Sequence, residues 1–398
     1  MDRRHRLATD PAYTYLLSFV AIGLLLSVIG PALTQLRRQV GVSLASISVL
    51  FAVQSLGYLL GSILGGRLYD RGLGHRVMAG ALVACGISIA LVPAVGTLVG
   101  LSCLFSVIGF GAAAIDVGGN TLLVWSRGDA VGPMMNALHF SFGVGALLSP
   151  VLIDRSIAWG GDLRIACWLA TALSVAIAAV LLTRPAPSRS RIEVVRPPGS
   201  RRPRPPALLV AFAVFFLLYV GVELGFAGWI HTYGEELELG GPRGPALLTA
   251  LFWIGFTGGR LLGVVFARRV EPATMLLGSC LVAVVAVGGL VLGDGTPAVV
   301  WIGTFVFGLG VAPQFPTMIS FAEAHLRLTG SDTSWFVGAA GLGGLVLPWA
   351  IGQVISETDV HAMPLIVFAV AAATLLWFLV VRGIAARHLE RRDASGGP

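Results

Sequence analysis

Long apolar segments separated by short polar ones dominate the pattern of this chain. Twelve of them have lengths near the roughly 20 residues that an α-helix needs to cross about 30 Å of hydrocarbon. Lipid offers the backbone no hydrogen-bonding partner, so spanning segments must be helices or strands of a closed barrel, and barrel strands alternate polar and apolar residues. The twelve segments show no such alternation, so the pattern predicts an all-α polytopic membrane protein. They cover residues 13–34, 47–68, 77–95, 98–124, 131–153, 163–182, 207–231, 244–266, 272–292, 297–320, 331–354 and 361–383.

Composition and charge agree with this class. Hydrophobic residues make up 56% of the 398 residues and charged residues only 12%, against roughly 25% charged in soluble domains. The net charge is +7, from 27 basic and 20 acidic residues, and every basic residue counted is an arginine. The arginines flank the spans mostly on one side, which argues against nucleic acid as a partner. By the positive-inside rule, both termini are expected in the cytoplasm.

The chain divides into two similar halves around a Pro- and Arg-rich segment. Residues 183–206 cannot bury a core and are expected to form a cytoplasmic linker between six-helix halves at 1–182 and 207–398. Displacing the sequence by about 198 residues superposes glycines of the two halves. This offset predicts a duplicated six-helix unit, an arrangement typical of secondary transporters. Among the matches, Gly57, Gly61 and Gly65 correspond to Gly255, Gly259 and Gly263.

The loop after the second span carries a recognisable signature. Its sequence, GGRLYDRGLGHR at 65–76, resembles the Asp-Arg-Gly-Arg loop of the major facilitator superfamily. The match rests on Gly66, Asp70, Arg71, Gly74 and Arg76, and Gly72-Leu73 makes the loop about one residue longer than usual. The resemblance implies that Asp70 and Arg71 help to latch a cytoplasmic gate. The alternative is that the arginines only fix the topology.

Few ionisable residues lie well inside the spans: Asp116, His139, Glu223 and Arg260. An isolated charge at the bilayer centre costs at least about 2.5–3.5 kcal/mol, so each of these residues is a functional hypothesis. Asp116 and Asn120 are four residues apart and share one helical face. Asp116 is therefore a candidate coupling site, either as a carboxyl that takes up and releases a proton or, with Asn120, as a sodium ligand. The alternative is an ion pair with Arg260 or a structural hydrogen bond.

Glu223 in the seventh span has the same two interpretations as Asp116. Arg260 in the eighth span could pair with a carboxylate, bind a polar substrate, or extend to the cytoplasmic interface without a special role.

Other polar and aromatic positions are candidates for contacting a sugar. Asn136 and His139 share a face of the fifth span and could bind hydroxyl groups or another helix. The sequence APQFPT at 312–317 should break the tenth span and expose backbone carbonyls near Gln314. Weaker candidates for substrate binding are Gln54, Trp229, Trp253 and Gln314.

Four segments narrow the resemblance. AIDVGGN, NALHFSFGVGALLSP, LYVGVELGFAGWI and FPTMISFAEA, from the fourth, fifth, seventh and tenth spans, are similar to segments of the fucose/proton symporter family and its branch of sodium-dependent glucose transporters. The resemblance implies cation-coupled uptake of a monosaccharide or related polyol, with Asp116 at the position of the family's acidic residue in the fourth span. The family's further acid in the first span has no counterpart between Tyr13 and Thr34. Either Glu223 supplies the second carboxylate, or the coupling is different, or the protein is not a proton symporter.

We therefore expect a major facilitator fold and a secondary active transporter that works by alternating access, in the plasma (inner) membrane, without a cofactor and as a monomer. Its coupling cation would be H⁺ or Na⁺ and its partners a small-molecule substrate and the lipid bilayer. The alternatives are a proton-driven exporter of drugs or metabolites, or a transporter-like nutrient receptor. An enzyme is not expected, since the spans lack paired catalytic carboxylates and His-x-x-x-His spacing.

Overall fold

The computed structural model describes residues 10–127, 132–187, 206–267, 269–326 and 330–394. The side chain of Asp70 and most of the 183–206 segment lie outside this described part. Within it the chain forms α-helices and two short 3₁₀ turns, with no strand. The predicted all-α class is confirmed.

Fifteen α-helices follow one another along the described chain. They are α1 Pro11–Leu26, α2 Ile29–Val40, α3 Leu44–Ile47, α4 Val49–Asp70, α5 Gly74–Leu91, α6 Leu98–Arg127, α7 Gly132–Gly160, α8 Arg164–Leu182, α9 Pro206–Glu236, α10 Gly244–Phe266, α11 Pro272–Leu292, α12 Pro297–Val311, α13 Gln314–Leu326, α14 Gly330–Glu357 and α15 Ala362–Ala394. Eleven helical segments of this part are long and apolar enough to cross a membrane, and the bent pair α1–α2 makes up to twelve. Each of the twelve predicted spans has a counterpart.

The first span is bent, which the sequence analysis did not predict. Helices α1 and α2 meet at an angle of 45°, and Ser27 is the C-terminal cap of α1. Pro31 has no backbone N–H to donate to the Ser27 carbonyl, and its ring crowds that same carbonyl. The bend therefore has a local cause in the sequence.

The tenth span is interrupted where the two prolines predict it. Helix α12 ends at Val311 and α13 begins at Gln314, with a turn at Ala312 and Pro313 between them. The predicted break is thus confirmed.

The chain forms two compact units by contact. Unit 1 contains residues 1–192 and 227–253, and unit 2 contains residues 193–226 and 254–398. The predicted division at 1–182, 183–206 and 207–398 remains a prediction.

Each unit contains the same glycine-based helix contact. In unit 1, a Cβ on Gly57 or Gly61 of α4 would collide with the backbone carbonyl of Ser106 or Phe110 of α6. In unit 2, a Cβ on Gly255 or Gly259 of α10 would collide in the same way with α12. Helices in lipid associate where small residues let backbones approach closely. The repeated contact matches the duplication read from the glycine spacing. The α12 carbonyls belong to Phe305 and Leu309.

Candidate functional site

Both carboxylate oxygens of Asp116 are held by neighbouring side chains. The Tyr58 hydroxyl of α4 donates to Oδ2 of Asp116 in α6. The Asn120 amide nitrogen donates to Oδ1 at 2.9 Å and to the Asp116 backbone carbonyl at 2.9 Å. Since two acceptors face this nitrogen, the orientation of the Asn120 amide is fixed. The shared face predicted for Asp116 and Asn120 is confirmed.

Close packing of α4 against α6 brings Tyr58 to Asp116. Gly57 and Gly61 flank Tyr58 on α4 and meet the α6 backbone directly, and Gly109 of α6 meets the Gln54 carbonyl of α4. A tyrosine between these contacts can therefore reach the carboxylate across the helix pair. The sequence analysis missed Tyr58, although its place between two glycines in the segment GYLLG was a usable signal.

The two glycines between Asp116 and Asn120 face aromatic rings. Gly118 packs on the ring of Tyr69, and Gly119 packs on the ring of Phe19, leaving no room for a Cβ at either position. These glycines therefore admit neighbouring side chains of the protein to this part of α6.

Gln54 lies one turn before Tyr58 on the same face of α4. Its side chain is 8% exposed, and its amide nitrogen has no hydrogen-bond partner within the described residues. Phe51, one turn further from Tyr58, packs on Trp229 with ring centroids 5.8 Å apart. The face thus carries an aromatic contact, an unused donor and a hydroxyl bound to a carboxylate.

The remaining candidates of unit 1 are more dispersed. His139 of α7 is half-buried and its ring meets Phe19 edge-on at 5.8 Å. Phe19 therefore lies against both His139 and Gly119. Asn136 is exposed, and Trp253 is buried against Phe142 at 6.1 Å.

A second polar cluster lies in unit 2. The Tyr219 hydroxyl donates to Oε2 of Glu223, four residues later in α9. Arg260 of α10 acts electrostatically on Glu223, and its guanidinium lies 4.7 Å from the centre of the Phe256 ring. The Arg260 Nε is buried and has no hydrogen-bond partner within the described residues, so the predicted alternatives for Arg260 stay predictions.

Gln314 lies beside this cluster at the break between α12 and α13. It is buried, and its amide nitrogen donates to the Gly310 carbonyl at 3.3 Å. Next to it is a cavity of about 10 Å³, roughly the room that one water molecule needs. The residues that line the cavity are Tyr219, Val222, Cys280, Ala283, Gln314, Ala371 and Thr374.

In the loop signature, Gly66, Arg71 and Arg76 lie at the surface or in open space. Arg71 and Arg76 are exposed, no atom lies within 4 Å of a Cβ built on Gly66, and the side chain of Asp70 is outside the described residues. The predicted gate latch stays a prediction.

A buried histidine at the start of α5, within the same sequence motif, was missed. His75 is 4% exposed and contacts the Tyr15 hydroxyl through Nε2 at 2.7 Å and the Arg184 carbonyl through Nδ1 at 3.0 Å. Nearby elements are tied as well, because Arg127 at the end of α6 pairs with Asp10, which caps α1. Interior contacts thus join this loop to α1 and to the chain after α8.

Comparisons with known proteins agree on one superfamily. The family model described as Major Facilitator Superfamily matches residues 15–348. The chain is 28% identical to a mouse protein named sodium-dependent glucose transporter 1A, in an alignment that covers 96% of this chain and 98% of the mouse protein. It is 27% identical to the human sodium-dependent glucose transporter 1, covering 94% of this chain and 79% of that protein.

Solved structures share the fold. A point mutant of the nucleoside transporter NupG matches with a TM-score of 0.77 and 15% identity over 94% of this chain and 100% of that chain. A bacterial homologue of the human lysosomal transporter Spinster matches with a TM-score of 0.68 and 12% identity, covering 96% of this chain and 97% of that chain. At these identities the likeness shows the architecture alone. The predicted fold and the predicted resemblance are confirmed.

Proposed function

Since the chain belongs to the major facilitator superfamily, we propose that it is a secondary active transporter that moves a monosaccharide or similar polar solute together with H⁺ or Na⁺. It is a multi-pass membrane transporter, not an enzyme. The observation that carries the proposal is the Asp116 carboxylate, held inside α6 by Tyr58 and Asn120.

The cost of a carboxylate in a span supports a coupling role for Asp116. An ionised carboxylate in the hydrocarbon region needs compensation by hydrogen bonds, a proton or a cation. The Tyr58 and Asn120 donors stabilise the carboxylate, and uptake of H⁺ or Na⁺ would neutralise its charge. Both cations remain in the proposal, and the names of the mouse and human relatives favour Na⁺. In the sodium version, Asp116 and Asn120 supply oxygen ligands.

Glu223, the second acid inside the spans, is proposed to have a subsidiary role in coupling. Glu223 has both a hydrogen-bond donor in Tyr219 and a positive charge in Arg260. We propose Asp116 as the principal coupling site, with Glu223 and Arg260 as supporting residues that can also contact substrate.

The substrate class rests on uncharged hydrogen-bonding groups and on the relatives' names. Amides and an imidazole suit hydroxyl groups, and aromatic rings suit the apolar face of a sugar. The names of the similar proteins point to glucose or a related sugar. The proposed substrate-binding residues are Gln54, Asn120, Asn136, His139, Trp229, Trp253, Arg260 and Gln314.

Topology and assembly follow the arginine distribution and the superfamily. We propose that the protein works as a monomer in the plasma (inner) membrane with both termini in the cytoplasm. The loop signature of Gly66, Asp70, Arg71 and Arg76 would then serve the cytoplasmic gate during alternating access.

Transport by purified protein in liposomes tests the proposal. Labelled D-glucose and a panel of other hexoses are offered under an imposed Na⁺ gradient, an imposed proton gradient or neither. We expect gradient-driven accumulation of at least one sugar and its loss in Asp116→Asn. The matched control is Asp294→Asn, because Asp294 lies in an exposed turn.

Three outcomes decide between the hypotheses. Unchanged accumulation in Asp116→Asn would remove Asp116 as the coupling site. Expulsion of hydrophobic dyes, with no sugar moved, would replace the sugar symporter with a proton-driven exporter. Sugar binding without any flux in the wild type would favour a nutrient receptor.

A further inference from the structure

The same face of α4 carries the unpaired amide of Gln54 and the Tyr58 hydroxyl that is bonded to Asp116. Gln54 and Tyr58 are four residues apart, so their side chains leave the helix on the same side, separated by about 6 Å along the axis. Gln54 offers a buried amide N–H without a partner in the described part of the chain. Tyr58 is bonded to Asp116. A small ligand lying along this face could contact both side chains at once.

The Gln54 amide indicates a ligand. Buried donors are nearly always paired in folded proteins, and an unpaired one is retained at a cost. Backbone contact with Gly109 holds this turn of α4 against α6, so the Gln54 donor belongs to a closely packed helix pair. A neutral ligand with acceptor oxygens, such as a hydroxyl-rich sugar, supplies the missing partner.

The Tyr58 hydroxyl can take two states. A phenol has one proton to donate and lone pairs with which to accept. While Asp116 is ionised, the proton of Tyr58 is committed to Oδ2, and the hydroxyl can only accept from a ligand. When a proton or Na⁺ neutralises Asp116, the demand for that hydrogen bond falls. Tyr58 can then turn its proton to a ligand oxygen, and no covalent bond changes except that of the proton bound by Asp116.

We propose that Tyr58 transmits the cation occupancy of Asp116 to the substrate, and that Gln54 and Tyr58 together form a subsite for the hydroxyl groups of a sugar. This inference rests on the proposed function, since it requires a cation at Asp116. It makes Tyr58 a specificity and positioning residue whose loss uncouples substrate affinity from the cation. Gln54 contributes affinity at every cation concentration.

The test measures the apparent KM for D-glucose as a function of Na⁺ at fixed pH, and of pH without Na⁺, in liposomes. In the wild type we expect the KM to fall about tenfold between cation-free and saturating conditions, a usual size for coupling between two sites. In Tyr58→Phe this change should shrink to less than about twofold. In Gln54→Leu the KM should rise about tenfold while its cation dependence persists.

Tyr69→Phe is the matched control. It removes a buried hydroxyl from the same helix, but that hydroxyl donates to the Ala114 backbone carbonyl. We expect Tyr69→Phe to keep the cation dependence of the wild type. A loss of dependence in both tyrosine variants would assign the Tyr58 effect to general loosening of α4 and overturn the inference.

A double-mutant cycle separates the role of Tyr58 in coupling from a general effect of Tyr58→Phe on sugar binding. With Asp116→Asn, equilibrium binding of labelled D-glucose should change by the same factor between zero and saturating cation whether or not Tyr58 is replaced, because the carboxylate is already gone. Cation dependence that survives in Tyr58→Phe at wild-type size refutes the inference and leaves the proposed symport intact. A wild type whose affinity ignores both cations removes the proposed coupling itself.

Discussion

The Tyr219 hydroxyl donates a hydrogen bond to the Glu223 carboxylate one turn further along α9, and Arg260 of α10 adds a positive charge to the same cluster. The first span contains no acid, so the surroundings of Glu223 bear on whether it can act as the second carboxylate. Glu223 stays a candidate for the missing second carboxylate, and its neighbours Tyr219 and Arg260 define the variants that test it.

Removing one charge of the Glu223–Arg260 pair should destabilise the protein. Glu223→Gln leaves Arg260 without its negative neighbour, and Arg260→Gln leaves the carboxylate without its positive one. Each single variant should lower the Tm of the detergent-solubilised protein, and the double variant should lose less than the sum. We expect an interaction energy of about 1–2 kcal/mol, measured by thermal unfolding.

Glu271→Gln is the control for this cycle, because Glu271 is exposed at the start of α11. It should leave the Tm unchanged. Strictly additive losses at Glu223 and Arg260 would show that the two charges act independently.

Backbone contact at Gly61 predicts a strong effect of a single methyl group. An added Cβ meets the backbone of Phe110, which cannot swing aside as a side chain could. Gly61→Ala should force α4 away from α6 and cost about 1–3 kcal/mol, seen as a lower Tm and a lower yield of monodisperse protein. Gly259→Ala should behave alike, since its Cβ meets the backbone of Leu309.

Gly80→Ala separates packing from helix propensity. Gly80 also lies inside a helix, but no atom is within 4 Å of an added Cβ, so alanine should be neutral or stabilising there. A loss at Gly80 as large as that at Gly61 would contradict the packing explanation.

The unpaired amide of Gln54 predicts a trade-off between stability and function. Leucine has a similar volume and no donor, so Gln54→Leu removes a buried unsatisfied group and should raise the Tm. The same change should weaken sugar binding. Thermal unfolding with and without D-glucose measures both effects, and the stabilisation by sugar should be smaller in the variant.

Gln39→Leu is the comparison, because the Gln39 amide nitrogen donates to the carbonyls of Val92 and Val95. Removing this satisfied donor should lower the Tm. An equal loss of stability in Gln54→Leu would mean that the Gln54 amide is satisfied in the sugar-free protein, contrary to this prediction.

The spans could be predicted from the sequence because the hydrocarbon core of the bilayer alone determines which segments cross it. Hydrocarbon rejects every unpaired backbone group, so length and apolarity alone locate the helices. The Asp116–Asn120 face was predictable for a similar reason, since a spacing of four residues fixes a shared side within one helix.

Contacts between helices were harder to predict from the sequence. Tyr58 meets Asp116 only because α4 and α6 pack in one register, and hydropathy carries no information on which turns face each other. The bend at Ser27 had a signal in Pro31, but proline is tolerated inside many membrane helices, as at Pro150 and Pro348. The buried position of His75 was not predicted because its motif was interpreted only through the charged residues Asp70, Arg71 and Arg76.

His75, at the start of α5, supplies the last prediction. The Arg184 carbonyl can only accept, so Nδ1 of His75 must donate to it, and Nε2 of the neutral ring then accepts from the Tyr15 hydroxyl. Tyr15→Phe and His75→Ala should each lower the Tm, and the double variant should lose less than the sum, with an interaction energy of about 0.5–1.5 kcal/mol. Tyr13→Phe is the matched control, since Tyr13 is 42% exposed and should tolerate the loss of its hydroxyl. Additive effects of the Tyr15 and His75 changes would mean that the Tyr15–His75 hydrogen bond contributes nothing to the stability of this end of the unit.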